Sequence, residues 1–314
     1  MWLQSAIFYN SKKQKKDRRS HMLTEIFYHV DNFCKEYEKK LIEMSLKDGD
    51  LKSRGPKFNM SLSEIATIVI YFHHSKFRTF KDYYLVLKTF HGNAFKKLVS
   101  YNRFLELQKQ ALVPLILLLS ISSSKNKGNI YFIDSTCLKV CHNKRIYANK
   151  TFKGIAKRGK TSVGWFYGFK LHLVINEIGE IKGFHITPGN VADNNLNVVS
   201  KATSNITGKL FGDKGYLSKK LFHKLYENGI KLITKIRKKM KNKLMDLYDK
   251  ILLKKRGVIE SVNNILKNQC MLEHSRHRSI TNFFVNTFAA LNAYSFLKKK
   301  PSIKCFNKAF IGSN

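Results

Sequence analysis

Residues 130–140 have the sequence IYFIDSTCLKV, in which one acid, Asp134, interrupts a run of apolar and β-branched side chains. Runs of this composition are typical of a buried β-strand. Two more β-rich runs follow, FYGFKLHLVI at 166–175 and EIKGFHIT at 180–187, with a turn signal at 176–179 between them. The sequence therefore predicts three consecutive strands in this part of the chain.

The elements that follow alternate between helix and strand. Pro188-Gly189-Asn190 ends the third strand. The patterns beyond it predict a helix at 193–203, a strand at 209–213, a helix at 218–228, a strand at 230–236, a basic linker at 237–243 and a helix at 256–270. Three strands, helix, strand, helix, strand and helix is the order of a ribonuclease H-like fold. We therefore expect an α/β catalytic domain at 126–300, with a mixed sheet and flanking helices, and a short tail at 301–314.

The region before the strands has a helical pattern. Ser61 with Glu64, and Thr79 with Asp82, have the spacing of helix-capping pairs in front of IATIVIYF and YYLVLKTF, and Ser100 can cap a third helix. Short helices with basic turns between them are compatible with a helix-turn-helix unit and equally with an ordinary helical bundle. The sequence predicts an all-helical region here, with DNA binding as its expected role.

This helical region occupies residues 22–125, and a basic tail at 1–21 precedes it. The tail carries KKQKKDRR at 12–19, and such a cluster predicts a disordered segment that is free to contact phosphate. Met22 is a second candidate start, because the foldable pattern begins there. Met1–Tyr9 is too short and too mixed for a signal peptide.

The chain carries 58 Lys and Arg against 21 Asp and Glu, a formal net charge of +37. Such an excess repels itself in a compact fold, so a polyanionic partner is its natural explanation. A membrane surface is the competing partner, but the longest apolar run, 111–120, is too short to span a bilayer and contains Pro114. Five scattered cysteines, an odd number, fit a reducing compartment. The composition thus favours a cytoplasmic protein that binds nucleic acid and not a membrane.

Three acids lie where the expected topology brings them together. Asp134 lies in the first strand, Asp213 ends the fourth and Glu260 lies in the last helix. Taken singly, each acid is more often a strand-end cap or part of a solvated helix face, but the order of all three favours a site. Three converging carboxylates repel one another unless divalent ions neutralise them, and oxygen ligands suit Mg²⁺ or Mn²⁺. Two such ions activate a water or a 3′-hydroxyl and stabilise the leaving oxygen in phosphoryl transfer.

Five longer stretches have a recognisable form. They are FIDSTCLKVCHNKRI from residue 132, FKGIAKRGKTSVGWFYGFKLHLVIN from 152, TPGNVADNN from 187, LFGDKGY from 210 and RGVIESVNNILKN from 256. Together they resemble transposases of the insertion-sequence 982 family, a bacterial group of the DDE type. The resemblance extends from about residue 23 to residue 300.

The resemblance implies an enzyme that cuts DNA at the ends of an insertion sequence and joins the freed 3′-hydroxyl to target DNA. It implies that Asp134, Asp213 and Glu260 are the catalytic residues and hold two Mg²⁺ or Mn²⁺ ions. The expected partners are the terminal repeats of the element and the target DNA. Bringing two ends together usually needs at least a dimer, so we expect a homo-oligomer during synapsis.

Related insertion-sequence enzymes carry a Tyr, Arg, Glu, Lys signature in this last helix. Arg256, Glu260 and Lys267 match its spacing, so Arg256 and Lys267 are expected DNA contacts. Leu253 stands where the Tyr would be, and no role for that aromatic is carried over. Cys137 replaces the Pro expected after DST.

Further candidate DNA contacts lie outside the three acids. Trp165, in a basic and Gly-containing stretch, can stack on an unpaired base, or it can be a core or interface residue. Lys170 and His172 share one strand face, which either approaches the scissile phosphate or is solvated. Arg276 and Arg278, in HSRHRS after the last helix, are donors for phosphate.

Two patterns receive simpler interpretations. Cys137, Cys141 and His142 lack a second ligand pair at the usual zinc spacing, so zinc is not favoured. Asp193 follows the Pro-Gly-Asn turn, and this position predicts a helix N-cap.

Three other functions are compatible with parts of the sequence. A structure-specific nuclease of ribonuclease H-like fold would use the same acids without strand transfer. A non-catalytic DNA-binding protein derived from a transposase would keep the basic surface, but the complete set of acids argues against it. A ribosomal or other RNA-binding protein explains the charge and leaves the placed acids unexplained.

Overall fold

The computed structural model describes residues 2–47, 60–91, 94–95, 98–126, 128–235, 245–273 and 277–303. Its internal contacts divide the chain into two units. The first comprises Met1–Leu118 and Phe284–Phe296, and the second comprises Leu119–Phe283 and Leu297–Asn314. The basic linker expected at 237–243, and all of the expected C-terminal tail beyond residue 303, lie outside the described residues.

The first unit is built of α-helices. They are α1 (Trp2–Lys47), α2 (Leu62–Ser75), α3 (Phe80–His91), α4 (Tyr101–Leu107), the first part of α5 (Leu112–Ser124) and most of α10 (Ile280–Ser295), with a 3-10 turn at Gln108–Ala111. An N-terminal helical region is therefore confirmed.

The expected capping residues explain where α2, α3 and α4 begin. Ser61 accepts a hydrogen bond from the backbone N–H of Glu64, whose carboxylate accepts one from the N–H of Ser61. The hydroxyl of Thr79 accepts one from the N–H of Asp82, and Ser100 caps α4 in the same way. These contacts satisfy N–H groups that have no partner inside the helix. The three capping predictions are confirmed.

The helix α1 begins at Trp2, although the sequence predicts a disordered tail over residues 1–21. Residues 2–47 contain neither Gly nor Pro, and the many Lys, Arg and Gln residues favour a helix. A basic composition alone therefore does not interrupt the helix. The second half of α1 packs against α2 and buries one stripe of side chains, Leu23, Ile26, Val30 and Cys34.

Residues Tyr101–Ser124, from α4 to the end of α5, form a helical run of 24 residues with a mean hydropathy of 1.5 in its most apolar window. By length and composition alone, this run is apolar enough to cross a membrane. The sequence prediction against a membrane span considered only the shorter apolar run at 111–120. In the structure 44% of the window is buried, and core helices of water-soluble proteins meet the same criterion.

The second unit contains a six-stranded mixed sheet. Its strands are β1 (Ile130–Cys141), β2 (Lys157–Thr161), β3 (Gly164–Asn176), β4 (Ile181–Pro188), β5 (Gly208–Gly212) and β6 (Ile230–Thr234). Its helices include α6 (Leu196–Ala202), α7 (Lys219–Glu227), α8 (Leu247–Lys255) and α9 (Gly257–Asn268). The expected α/β class, with a mixed sheet and flanking helices, is confirmed.

The strand β1 lies in the middle of this sheet. It pairs antiparallel with β3 on one side and parallel with β5 on the other, and β6 continues the sheet parallel to β5. Both β2 and β4 pair antiparallel with β3. The expected adjacency of the first strand and the strand that ends at Asp213 is therefore confirmed.

Two elements of this unit are not predicted from the sequence. In β2 only Gly159 of five residues is buried, so the segment lacks an apolar strand pattern and is held by its pairing with β3. The helix α8 directly precedes α9, with Asp246 accepting a hydrogen bond at its N-terminus. The segment β2 forms a strand because it pairs with β3, and a local sequence pattern does not reveal such pairing.

Candidate active site

Asp134 in β1 and Asp213, directly after β5, lie at equivalent positions of two adjacent parallel strands. Each follows the last paired residue of the β1–β5 ladder by two positions. The strands remain close at this point, because a Cβ added to Gly212 would lie 3.3 Å from Cγ2 of Ile133. Neighbouring strands are about 5 Å apart, so the register brings the backbones of the two acids side by side.

The helix α9 brings Glu260 to the same end of the sheet. The guanidinium of Arg256, which immediately precedes α9, lies 2.9 Å from Oε1 of Glu260 and 4.0 Å from Oδ1 of Asp134. One turn further along, the amide Nδ2 of Asn263 donates a hydrogen bond of 3.1 Å to Oδ2 of Asp134. Arginine and asparagine therefore connect the helix directly to the acid of β1.

The apolar side of α9 holds the helix on the sheet. It packs against β1, and helical spacing predicts five apolar residues on its inner face. Four of them, Val258, Ile259, Val262 and Leu266, are buried, and Ile265 is half-buried. Helical spacing also predicts one polar stripe on this helix, formed by Arg256, Glu260, Asn263 and Lys267, with a solvated face as the simpler interpretation. The stripe is not uniformly solvated, since Asn263 is buried and Glu260 is exposed. The stripe is partly used for contacts inside the protein.

The carboxyl group of Asp134 is in an unfavourable place for a charge. Burial raises its pKa from 3.8 to about 6, although the Arg256 guanidinium and the backbone N–H of Ser135 favour the charged form. The nearby carboxylates of Glu260 and Asp193 add to the rise. A buried acid with a perturbed pKa in a cluster of charges is a candidate functional group.

The side chains of the three acids are not gathered into one metal-binding group. Among the described residues, no three side chains of His, Cys, Asp and Glu are near enough to one another to hold a metal ion. The side chain of Glu260 is 61% exposed and is paired with Arg256, and Asp213 is also exposed. A guanidinium thus stands between two of the three carboxylates.

Asp193 belongs to this neighbourhood, and the prediction of a helix N-cap is wrong. The N-cap of α6 is Asn195, whose side chain accepts from the N–H of Val198. Asp193 instead accepts hydrogen bonds from Oγ of Ser135 at 2.8 Å and from Nζ of Lys170 at 3.0 Å. The signal that could have found it is the TPGNVADNN stretch, which lies directly after a strand of the sheet.

Comparison with known families identifies this unit. A family model for the transposase DDE domain matches residues 124–280, which is half of the chain and includes Asp134, Asp213 and Glu260. The chain belongs to the transposase DDE domain family. No curated protein matches the sequence.

DDE transposases generally use divalent metal ions, and the donors of this DDE domain fit such ions chemically. Carboxylate oxygens are the ligands that Mg²⁺ and Mn²⁺ prefer. The amide oxygen of Asn263, beside Asp134, is also buried and has no hydrogen-bond partner in the described part of the chain. These oxygen donors are of the chemical type that a hard cation binds, although in the described part of the chain their side chains do not form a ligand cluster.

Lys170 and His172 of the DDE domain are buried and do not face solvent. The ammonium of Lys170 is engaged by Asp193 and donates to the carbonyl of Val191 at 2.9 Å. His172 Nε2 lies 3.0 Å from Oγ1 of Thr187, and burial lowers the pKa of this imidazole to about 4. Both residues therefore support the sheet next to the acids, and the expected approach of Lys170 to a phosphate would require the loss of these contacts.

Lys267, an expected DNA contact, lies near β1. Its ammonium is 3.7 Å from Sγ of Cys137 and 3.5 Å from Oε1 of Glu273. The side chain is 25% exposed. A lysine with one nearby carboxylate and access to solvent keeps donors for a phosphate.

Trp165 lies on an exposed basic hairpin of the DDE domain. The hairpin pairs β2 with the start of β3, and Trp165 is 53% exposed. The guanidinium of Arg158 and the ammonium of Lys160 lie 5.3 Å and 5.7 Å from the centre of the indole ring. Val163 at the turn is 96% exposed. A surface indole flanked by two cations is the arrangement that nucleic-acid stacking sites use.

The segment after α9 is described only in part. Arg278 is exposed, and Arg276 lies outside the described residues.

Proposed function

We propose that this transposase cuts DNA at the ends of an insertion sequence and joins the freed 3′-hydroxyl to target DNA. In this proposal Asp134, Asp213 and Glu260 are the catalytic residues and hold two Mg²⁺ or Mn²⁺ ions. The element would belong to the insertion-sequence 982 family, whose motifs the chain resembles.

The observation that carries the proposal is the register of two strands. Asp134 in β1 and Asp213, directly after β5, each lie two positions beyond the last residue pair of the β1–β5 ladder, and α9 packs on β1 with Glu260 in its first turn. The strand order β4-β3-β1-β5-β6, antiparallel up to β1 and parallel after it, supports a ribonuclease H-like fold. Three acids distant in sequence reach one sheet end by this topology.

The residues around Asp134 have separate roles in this proposal. Asn263 holds one carboxylate oxygen of Asp134, and the Ser135 N–H stabilises its charge. The guanidinium of Arg256 lies between Asp134 and Glu260 and offsets the repulsion between their two negative charges. When bound, the divalent ions would supply charge neutralisation and an activated water or 3′-hydroxyl. Arg256 would then be free to hold a DNA phosphate beside the acids.

Other parts of the chain would hold and recognise the DNA. The net charge of +37 favours a long phosphate track, and Lys267, Trp165, Arg276 and Arg278 are its proposed contacts in the DDE domain. The helices α2 and α3, joined by four residues, are the proposed reader of the terminal repeats. We also propose a cytoplasmic location and a homo-oligomer during synapsis, because two ends must be held together.

The test is a product analysis on DNA that carries both ends of the element. The DNA that flanks the gene should contain short inverted repeats, and these supply the substrate. Purified protein with Mg²⁺ should release strands with a 3′-hydroxyl and then give joined products, whereas a substrate with scrambled ends should give neither. Cut strands that are never joined would favour the structure-specific nuclease. Binding without cutting would favour a DNA-binding protein derived from a transposase.

A further inference from the structure

A cleft of about 500 Å³ opens at the opposite end of the sheet from the acids. Its lining residues lie at or just before the starts of β1, β5 and β6, or at the end of α7: Asn129, Gly208, Lys209, Tyr226, Gly229 and Lys231. Lys209 in β5 and Asp213, directly after β5, are four positions apart, which corresponds to about 13 Å along the extended chain. The cleft is therefore a different place from the candidate active site.

The cleft has an excess of positive charge. The carboxylate of Asp249, whose side chain is only 4% exposed, lies 2.6 Å from Nζ of Lys209 and 3.7 Å from Nζ of Lys231. One buried carboxylate thus serves two ammonium groups. Lys231 is the looser partner and is 57% exposed, so its ammonium retains donors directed to solvent or to a ligand.

Tyr226, which lines the cleft, belongs to a pair of stacked aromatic rings. Phe222 and Tyr226 lie one turn apart on α7, with ring centres 6.2 Å apart and planes within 12° of each other. They are 41% and 67% exposed, while Leu221 and Leu225 supply the buried face of the helix. Scattered surface aromatics are common, but a stacked pair beside two lysines is a specific arrangement.

The charges on α7 suit the same kind of ligand. Lys219, Lys220 and Lys224 are exposed on this helix, and its one acid, Glu227, is paired with Lys224 at 3.1 Å. Proteins bind unpaired nucleic-acid strands by combining lysine contacts to phosphate with the stacking of bases on aromatic rings. The partner of a DDE transposase domain is DNA.

We propose that the cleft and the Phe222–Tyr226 pair form a second DNA-binding site on the catalytic unit. Lys231 and Lys209 bind a backbone phosphate in the cleft, and the Tyr226 ring, backed by Phe222, stacks on an adjoining unpaired base. The site extends the proposed function by giving the DNA a contact remote from the acids. It requires no cleavage, so its success or failure is independent of the chemistry at Asp134.

The experiment measures DNA binding by the full chain carrying Asp134→Asn, with no divalent ion present. The probes are a fluorescent blunt duplex and the same duplex with a single-stranded overhang. The variants are Lys231→Glu, Lys231→Gln and the double change Phe222→Ala with Tyr226→Ala. The matched controls are Lys201→Glu, an exposed lysine of α6, and Leu196→Ala, an exposed apolar residue of the same helix.

We expect Lys231→Glu to weaken binding of both probes more than Lys201→Glu does. Lys231→Gln should show the same effect in smaller measure. The double aromatic change should lower affinity for the overhang probe about tenfold, because stacking contributes about 1–3 kcal/mol per base, and it should change blunt-duplex binding less. Circular dichroism should give the same spectrum for every variant, since all the changed side chains are exposed.

Several results would overturn the site. If the Lys231 variants lose no more DNA affinity than Lys201→Glu, the proposed phosphate contact is wrong. If the double aromatic variant keeps the wild-type preference for the overhang probe, the proposed base stacking is wrong. If inorganic phosphate or a mononucleotide bound the cleft while DNA affinity stayed constant in the variants, the cleft would be a nucleotide site. A change in oligomeric state with unchanged DNA affinity would assign the aromatic pair to contacts between copies of the chain.

Discussion

The burial of Asp134 has a consequence for stability that the substitution Asp134→Asn measures. The carboxyl group is buried, and its pKa is raised from 3.8 to about 6 mainly by the loss of solvation. An asparagine at this position can still accept the hydrogen bond from Asn263, and Arg256 keeps its partner Glu260 at 2.9 Å. The substitution therefore removes a buried charge and few favourable contacts. We expect the variant to be more stable than the wild type at neutral pH.

The magnitude and its pH dependence follow from proton linkage. The folded protein holds the proton on Asp134 up to about pH 6, whereas the unfolded chain releases it near pH 3.8. The wild type therefore loses stability as the pH rises from about 4 to about 6, and the loss is complete above pH 6. At about 1.36 kcal/mol per pKa unit, this amounts to about 3 kcal/mol at pH 7, which is the upper limit of the gain in Asp134→Asn.

Urea denaturation of both proteins between pH 4 and pH 8 measures this difference in the free energy of unfolding. The gap in favour of Asp134→Asn should grow from near zero at about pH 4 to its full size above about pH 6. The control is Asp213→Asn, since an exposed carboxylate at the equivalent position of β5 should change stability little. A variant that is no more stable at pH 7, or a gap that does not depend on pH, would refute the argument from burial.

Three further predictions concern the metal, the DNA and the helix α9. Mg²⁺ and Mn²⁺ should support cleavage, Ca²⁺ should permit binding with little cleavage, and a chelator should stop the reaction; cleavage that survives thorough chelation contradicts two-metal chemistry. The logarithm of the DNA-binding constant should fall by roughly 0.9 per neutralised phosphate for each tenfold rise in salt, and deleting residues 1–21 should flatten this slope without altering sequence preference. Lys267→Ala should reduce cleavage strongly and Lys254→Ala only mildly, because Lys267 lies beside β1 whereas Lys254 is exposed on α8. Equal small losses in both variants would show that the polar stripe of α9 is only a solvated face.

Much of the fold can be predicted because its signals are local. Two capping pairs and the cap Ser100 mark the starts of α2, α3 and α4, and apolar runs mark β1, β3 and β4. The helix α9 was also predicted, and four of the five apolar residues expected on its inner face are buried, whereas Ile265 is only half-buried. The helix α10 was not predicted. The strand β2 could not be found in this way, because its outer residues are basic and its pairing with β3 alone makes it a strand.

The candidate site is predictable as a set of backbone positions and much less as a set of contacts. The order of elements was enough to expect Asp134 and Asp213 on neighbouring strands, and β1 and β5 do pair in parallel. Lys170 forms an ion pair with Asp193, and Arg256 lies between two acids. Both arrangements depend on side chains from separate elements. Long-range contacts of this kind leave no periodic signal in a single sequence.

The most direct test of the central claim compares metal-dependent cleavage by three single substitutions. Asp134→Asn, Asp213→Asn and Glu260→Gln each remove one proposed metal ligand and leave the basic surface of the chain unchanged. With Mg²⁺ and DNA that carries the element's ends, we expect each variant to lose cleavage by orders of magnitude while its affinity for the same DNA stays close to that of the wild type. Near-wild-type cleavage by any one of them would contradict the assignment of that acid, and retained cleavage by all three would contradict a DDE mechanism for this chain.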